Sequence, residues 1–237
     1  MKNLKFWAAV LPLFITACSN EYTGEASESA HIGASNKKSG IAPHNTANPY
    51  DIAGSIHNEI LENLENTNFN SGSIESIANA IDSVSISYPG ITSLPSGNPA
   101  VSTRLAEMTA IVNNTDALSN VLTASSLELS ARNSLSTFIN TLLLGSSNPY
   151  ENIHSAVVSY EANILASTLM NSEDKRIILT TTSIIRYSAY KKKRKDKDWE
   201  TSVTSIAAAV SGSDECIVLA LKMAATVGLS KNNNITQ

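Results

Sequence analysis

Only two cysteines, Cys18 and Cys216, occur in 237 residues. That number excludes a disulfide framework, so the fold must rest on an apolar core. Aromatic side chains are scarce at 5%, which argues against an aromatic-rich sugar-binding face. A basic surplus is also missing: 17 Lys and Arg face 21 Asp and Glu, for a net charge of −4. Nucleic acid is therefore not an expected partner, because phosphate binding needs a basic face. No apolar run approaches the roughly 20 residues a bilayer-spanning helix requires. Catalytic signatures are lacking as well. There is no Gly-x-Ser-x-Gly elbow and no His-Glu-x-x-His pair, and Gly72, Gly90 and Gly97 lack the spacing of a phosphate-binding loop.

What is present begins at the amino terminus, MKNLKFWAAVLPLFITACSN. Lys2 and Lys5 precede a short apolar stretch, Phe6 to Ile15, and Thr16 and Ala17 narrow to small side chains before Cys18. A positive start, an apolar segment of about 7–15 residues and a small-residue cleavage site define a secretory signal. The stretch Ile15-Thr16-Ala17-Cys18 resembles the lipobox of bacterial lipoproteins. That resemblance implies cleavage between Ala17 and Cys18, a diacylglycerol on the Cys18 thiol, and acylation, such as palmitate, of the new amino group. It further implies that Cys216 is left alone, without an internal disulfide. Each buried CH₂ contributes about 0.8 kcal/mol, so two or more chains hold a protein stably at a membrane. Ser19 follows the cysteine where the best-known sorting systems place aspartate for inner-membrane retention. The implied destination is the cell envelope, the outer membrane rather than the inner, and its periplasmic face rather than the surface.

Removing residues 1–17 leaves room for one good-sized domain. Residues 18–47 follow as the lipidated cysteine and a polar, small-residue stretch without apolar periodicity, which reads as a disordered tether. It would span about 30 Å as a coil and up to roughly 95 Å pulled straight. From residue 48 to 230 helix signals take over. Asn48-Pro49-Tyr50-Asp51 has the composition of a helix start, leading Ile52, Ile56, Ile60 and Leu64 on one stripe. Ile74, Ile77, Ile81 and Val84 define a second helix, stopped at Pro89-Gly90. Asn98-Pro99 opens a third. Asp116 to Leu144 reads as one long segment, kinked at most, and Asn148-Pro149 starts a helix reaching about Met170.

Ser172, Glu173 and Asp174 open the next helix, whose basic end suits the helix dipole. Asp198 caps another that Gly212 stops. Cys216 to Leu229 is apolar nearly all round and too short to span a bilayer, so it should be a central buried helix. Residues 231–237 read as a flexible tail. The fold expected is all-α, about eight helices in a single bundle or irregular array. The Asn-Pro pairs at 48, 98 and 148 are evenly spaced and compatible with two-helix repeats, although little else aligns between the units. The stretches NPYDIAGSIHNEIL and DWETSVTSIAAAVSG also resemble segments of uncharacterised helical lipoproteins of the Bacteroidetes. That second resemblance covers about thirty residues and carries no activity.

Chemistry-bearing candidates are few. His31 and His44 fall in the tether. His57 shares a stripe with Ile60, Leu61 and Leu64, and His154 lies with Tyr150, Val157 and Val158. A histidine on an apolar face is more often a hydrogen-bonded core residue than a ligand. The sharper alternative brings His57 and His154 together with Glu59 or Glu161 as a metal or polar site. Lys191 to Lys197, KKKRKDK, reads as a solvated helix end rather than a phosphate grip. No cofactor is expected. The function this supports is a lipid-anchored, non-enzymatic envelope module that binds a protein or envelope polymer, an immunity or inhibitor protein being one version. The competing reading is an envelope hydrolase with dispersed carboxylates or histidines.

Overall fold

The computed structural model describes residues 41–67, 69–145, 147–195 and 202–232, with the backbone alone at 192–195 and 202. The lipobox with Ala17 and Cys18, most of the tether, the Asp198 cap and the last five residues of the tail lie outside the described residues. Within them the chain is all-α, with ten helices, one 3₁₀ turn and no strand. The helices are α1 (Ile52–Glu65), α2 (Ile74–Ser85), α3 (Pro89–Thr92), α4 (Leu105–Asn113), α5 (Ala117–Ala124), α6 (Leu129–Leu144), α7 (Tyr150–Ala166), α8 (Ser172–Lys195), α9 (Ser202–Glu215) and α10 (Ile217–Asn232).

Each start has a local cause. Ser73 and Ser76 exchange side chain-to-backbone hydrogen bonds at the head of α2, which satisfies donors the helix itself cannot use. Asn171 and Asp174 do the same for α8, at 2.8 and 3.3 Å. At α1 the helix begins later than its Asn-Pro signal. Asn48 Oδ1 accepts from the Tyr50 amide at 2.8 Å in an Asx turn, and regular helix starts at Ile52. The second Asn-Pro pair precedes a 3₁₀ turn, Val101–Arg104, and the third precedes α7 directly. The three pairs thus open three different local structures.

Five sequence expectations shift. The segment 116–144 is two helices, because Ser125 to Glu128 leave helical geometry and Glu128 N donates to Asp174 Oδ1 at 3.0 Å. Pro89, read as a stop, stands at the first turn of the four-residue α3, where its missing N–H costs nothing. The helix of Asn148-Pro149 ends at Ala166 rather than near Met170. Gly212 does not stop α9. It lies inside the helix where the α10 backbone crosses, and a Cβ there would meet Ala220 N at 2.5 Å and Leu219 C at 2.6 Å. Helix α10 also continues two residues past the tail boundary, to Asn232.

At the centre are α8, α9 and α10. Helix α10 is buried from Val218 to Val227 with no exposed face, as an all-round apolar helix must be. It packs most extensively against α9, and α1, α2 and α4 close around it. Helix α8 is buried continuously from Ile177 to Tyr187 between α1, α7 and α9. Close approach of α1 to α8 is set by Gly54, whose missing side chain leaves room for the Tyr187 ring and for Ser183 O, 2.5 Å from where a Cβ would sit.

Candidate functional site

Two places collect polar chemistry. The first is buried under the segment that enters α1. Glu161 of α7 and Arg186 of α8 are both 0% exposed. One Glu161 oxygen, Oε1, accepts from Asn48 Nδ2 (2.9 Å), Thr182 Oγ1 (3.0 Å) and Arg186 Nη2 (3.2 Å), while Oε2 accepts from Asn45 Nδ2 at 2.6 Å. Arg186 Nη2 also donates to Asp51 Oδ1 at 2.6 Å, and Nη1 donates to the Pro43 carbonyl. Tyr187 gives its hydroxyl proton to Asp51 Oδ2 at 3.1 Å. One guanidinium therefore sits between two carboxylates, and the segment from Pro43 to Asp51 is laced onto α7 and α8. A buried carboxylate is tolerated only when so many donors converge on it.

This lacing moves the start of the folded domain. Residues 41–47 belong, by composition, to the polar tether. Their structure is that of a strap, with Asn45 half-buried over Glu161 and its amide donating to Asp51 Oδ1 at 3.2 Å. Asp51 does not cap α1 through its side chain, because that carboxylate serves Arg186 instead.

The histidine candidates have different neighbours. His154 stands near Glu161, Arg186 and the strap's His44, with its ring tilted against Tyr150 at 5.7 Å. Burial, then the Arg186 charge, hold its pKa below the ordinary histidine value. His57 is 2% exposed beside Lys191, and neither ring nitrogen has a hydrogen-bond partner among the described residues. Burial, with Lys191 second, pushes it down to about 3. His57 thus has Lys191 as its charged neighbour, and His154 has Arg186 and Glu161. No group of three or more His, Cys, Asp or Glu among the described residues is arranged to hold a metal ion. Glu59 hydrogen-bonds Ser55 one turn earlier on its own helix. Lys191 pairs with Glu65 at 3.1 Å and is buried, so the first residue of the basic run is packed rather than solvated.

Lys222 forms a second internal pair. Its Nζ donates to Asp82 Oδ1 and to Pro99 O, both at 2.9 Å. Asp82 accepts from Val101 N and Ser102 N at 2.8 and 3.1 Å. Burial pushes the Asp82 pKa up, but those three donors outweigh it and leave it below the usual carboxylate value. This explains the single interruption in α10, since Lys222 ties α2 and the 3₁₀ turn to the central helix.

The second place is open. A cleft of about 540 Å³ lies between α4, α5 and the carboxy end of α9. Ile111, Ala117 and Val121 contribute apolar walls, and Arg104, Glu107, Asp214 and Glu215 stand among the polar ones. Arg104 pairs with Glu107 and, at 2.7 Å, with Glu215. Ser211 donates to Glu107 Oε1, and Asp214 Oδ1 accepts from Ser126 N and Oγ at 2.8 and 2.6 Å. The volume falls within the roughly 300–1,000 Å³ range of small-ligand sites. Sequence reasoning missed this cleft. Its lining residues 104, 107, 111 and 114 fall at helical spacing across the 3₁₀ turn, α4 and its cap, but the break at 125–128 that follows α5 has no strong signal.

No family model, curated protein or solved structure matches the chain. Among the described residues, no helix is long and apolar enough to cross a membrane.

Proposed function

We propose that the chain is a lipid-anchored cell-envelope protein, held at the outer membrane through Cys18, whose helical domain is a non-enzymatic binding module for another protein or an envelope polymer. The anchor is supported by the lipobox-like Ile15-Thr16-Ala17-Cys18 and the apolar stretch before it. The observation that carries the binding reading is the open cleft of α4, α5 and α9, which sets apolar walls beside a charged, hydrogen-bonding rim. Such a combination is the usual anatomy of a recognition site. The buried charges elsewhere are occupied in holding the strap and α10 in place, as the Glu161 and Asp82 contacts show.

Photo-crosslinking in intact cells tests the reading. A photoreactive residue at Asn120, in the cleft lining, should capture a partner that the same probe at Asn140, exposed on α6, does not. Equal capture from both positions, or none from Asn120, overturns the cleft as the binding surface. Mass spectrometry of the mature amino terminus tests the anchor separately. An unmodified Cys18, or a retained leader, removes it.

A further inference from the structure

The carboxy end of α9 is acidic. It closes with Asp214 and Glu215, with no basic residue in its last turn, and only Cys216 separates it from the amino end of α10, where carboxylates are favourable. Both residues line the cleft. Glu107 stands on the facing wall, and Glu173 at the head of α8 is close enough that Asp214 acts on its ionisation. Against these four carboxylates the structure sets the guanidiniums of Arg104, Arg176 and Arg132, the last donating to the Ser125 and Leu127 carbonyls at 3.3 and 3.1 Å. Arg104 is engaged by Glu107 and Glu215, and Arg176 by Glu173 and the Asp214 carbonyl at 3.3 Å. Among the described residues Asp214 Oδ2 and Glu215 Oε1 receive no hydrogen bond. Two negatively charged acceptors therefore stand open at the rim.

The apolar wall narrows the choice of cation. Ile111 and Ala117 are buried and Val121 is half-buried, with Ala110 and Ala124 exposed at the edge. These are small aliphatic surfaces, suited to a chain of methylenes. Among the described residues no aromatic ring lines the cleft, so they offer no flat face of the kind on which a guanidinium or quaternary ammonium is usually stacked. A primary ammonium needs only convergent oxygens around a point charge, and its methylene stem can lie along apolar surface. Resting on the binding function proposed above, we infer that the α4–α5–α9 cleft seats a lysine side chain presented by an extended peptide segment of the partner. The stem lies along Ile111, Ala117 and Val121, and the ammonium is held between Asp214 and Glu215. Asparagines 114 and 120 are placed in the same lining to meet the peptide's backbone amides.

The test uses the full chain in detergent, with methyl NMR signals of Ile111 and Val121 as the reporter. The probes are three acetylated, amidated tripeptides, Gly-Lys-Gly, Gly-norleucine-Gly and Gly-Glu-Gly, together with 1,5-diaminopentane. The lysine peptide should move both methyl signals and bind at least tenfold more tightly than the norleucine peptide, which keeps most of the stem and lacks the charge. The glutamate peptide should leave the signals unmoved. Asp214→Asn and Glu215→Gln, which retain acceptors for Ser126 and Arg104, should each weaken lysine-peptide binding about threefold to tenfold, and raised salt should weaken it further. Equal affinity for norleucine and lysine overturns the inference, as does unchanged affinity in both variants with folding confirmed by circular dichroism. Tighter binding of diaminopentane than of the lysine peptide overturns the peptide source. If the glutamate or norleucine peptide binds best at Ile111 and Val121, the cleft remains a binding site and the amine assignment falls. Loss of site-dependent crosslinking at Asn120 is the separate failure that removes the function on which this rests.

Discussion

Arg186→Met leaves Glu161 with its three neutral donors, Asn45, Asn48 and Thr182, but strips the guanidinium that pairs with it at a fully buried site. Breaking a buried pair from one side costs about 3–5 kcal/mol, because the surviving charge stays desolvated. Urea unfolding should show that loss. The double variant with Glu161→Gln should lose less than the sum of the singles, since the amide carries no charge to strand. A loss within 1 kcal/mol would mean that the pair is not buried in solution. His57 sets a second expectation at this scale. Its folded pKa of about 3 lies below the ordinary 6.5, so the fold favours the neutral ring. The contribution is complete above pH 6.5 and is lost as pH falls toward 3. Between pH 6.5 and 5 the loss should be about 1.5–2 kcal/mol. His57→Leu should flatten the pH dependence in that window, measured by urea midpoints at both pH values. An unchanged slope would show that the ring is solvated or paired. Residue patterns made His57 legible as a core histidine by its stripe with Ile60 and Leu64. They could not show that Lys191 of α8 stands beside the ring, which depends on how α8 packs against α1.

Helix periodicity is a local signal, and the elements it governs were the legible ones. The stripes of α1 and α2, the all-round apolar α10 and the acid-to-base polarity of α8 all appear where the spacing put them. What periodicity cannot register is a residue whose importance lies in another helix. Gly212 carries the composition of a stop, and its role is to let α10 backbone approach. Of the four residues between α5 and α6, Leu127 and Glu128 are good helix formers, and the segment is held out of the helix by Asp214 and Asp174 across the fold, which accept from Ser126 N and Glu128 N. A pair of substitutions separates the two kinds of glycine. Gly212→Ala drives a methyl into Ala220 N and Leu219 C, which are backbone atoms that cannot swing aside. It should cost at least 1–3 kcal/mol, as overpacking does. Gly228→Ala, on α10, meets the Ser205 side chain, Oγ at 3.5 Å and Cβ at 3.8 Å, which are ordinary contacts. There the gain in helix propensity, about 0.5–1 kcal/mol, should appear as unchanged or raised stability. Thermal unfolding of both variants distinguishes a helix stop, which would tolerate alanine, from a crossing point, which would not.

At the scale of the whole molecule, the boundary between tether and domain is where sequence and structure part most clearly. Low apolar content predicts that a segment has nothing to bury, and for residues 41–47 that is nearly true of their side chains: Ile41 remains 46% exposed. The strap is held by polar groups instead, and its partners, Glu161 and Arg186, sit more than a hundred residues away. Composition has no means of registering such a bond. The cleft escaped for a similar reason, since its walls come from α4, α5 and α9, which only the fold brings together. Under the proposed anchoring through Cys18 the consequence is mechanical, because a pull from the membrane would enter the domain through the strap and reach α7 and α8 first. Deleting residues 41–47 should therefore destabilise the domain rather than merely shorten its leash. Glu161 would lose the 2.6 Å bond from Asn45, Arg186 its Pro43 carbonyl, and Asp51 the Asn45 amide. Hydrogen bonds to charged groups contribute about 1.5–3 kcal/mol each, less what returning water restores, so a net loss of about 2–4 kcal/mol is expected. Asn45→Ala alone should account for roughly half of it. Limited proteolysis should then give a resistant fragment beginning before Ile41 in the wild type and a shortened lifetime in the deletion variant. A resistant core starting at Tyr50, with stability unaltered by the deletion, would return residues 41–47 to the tether.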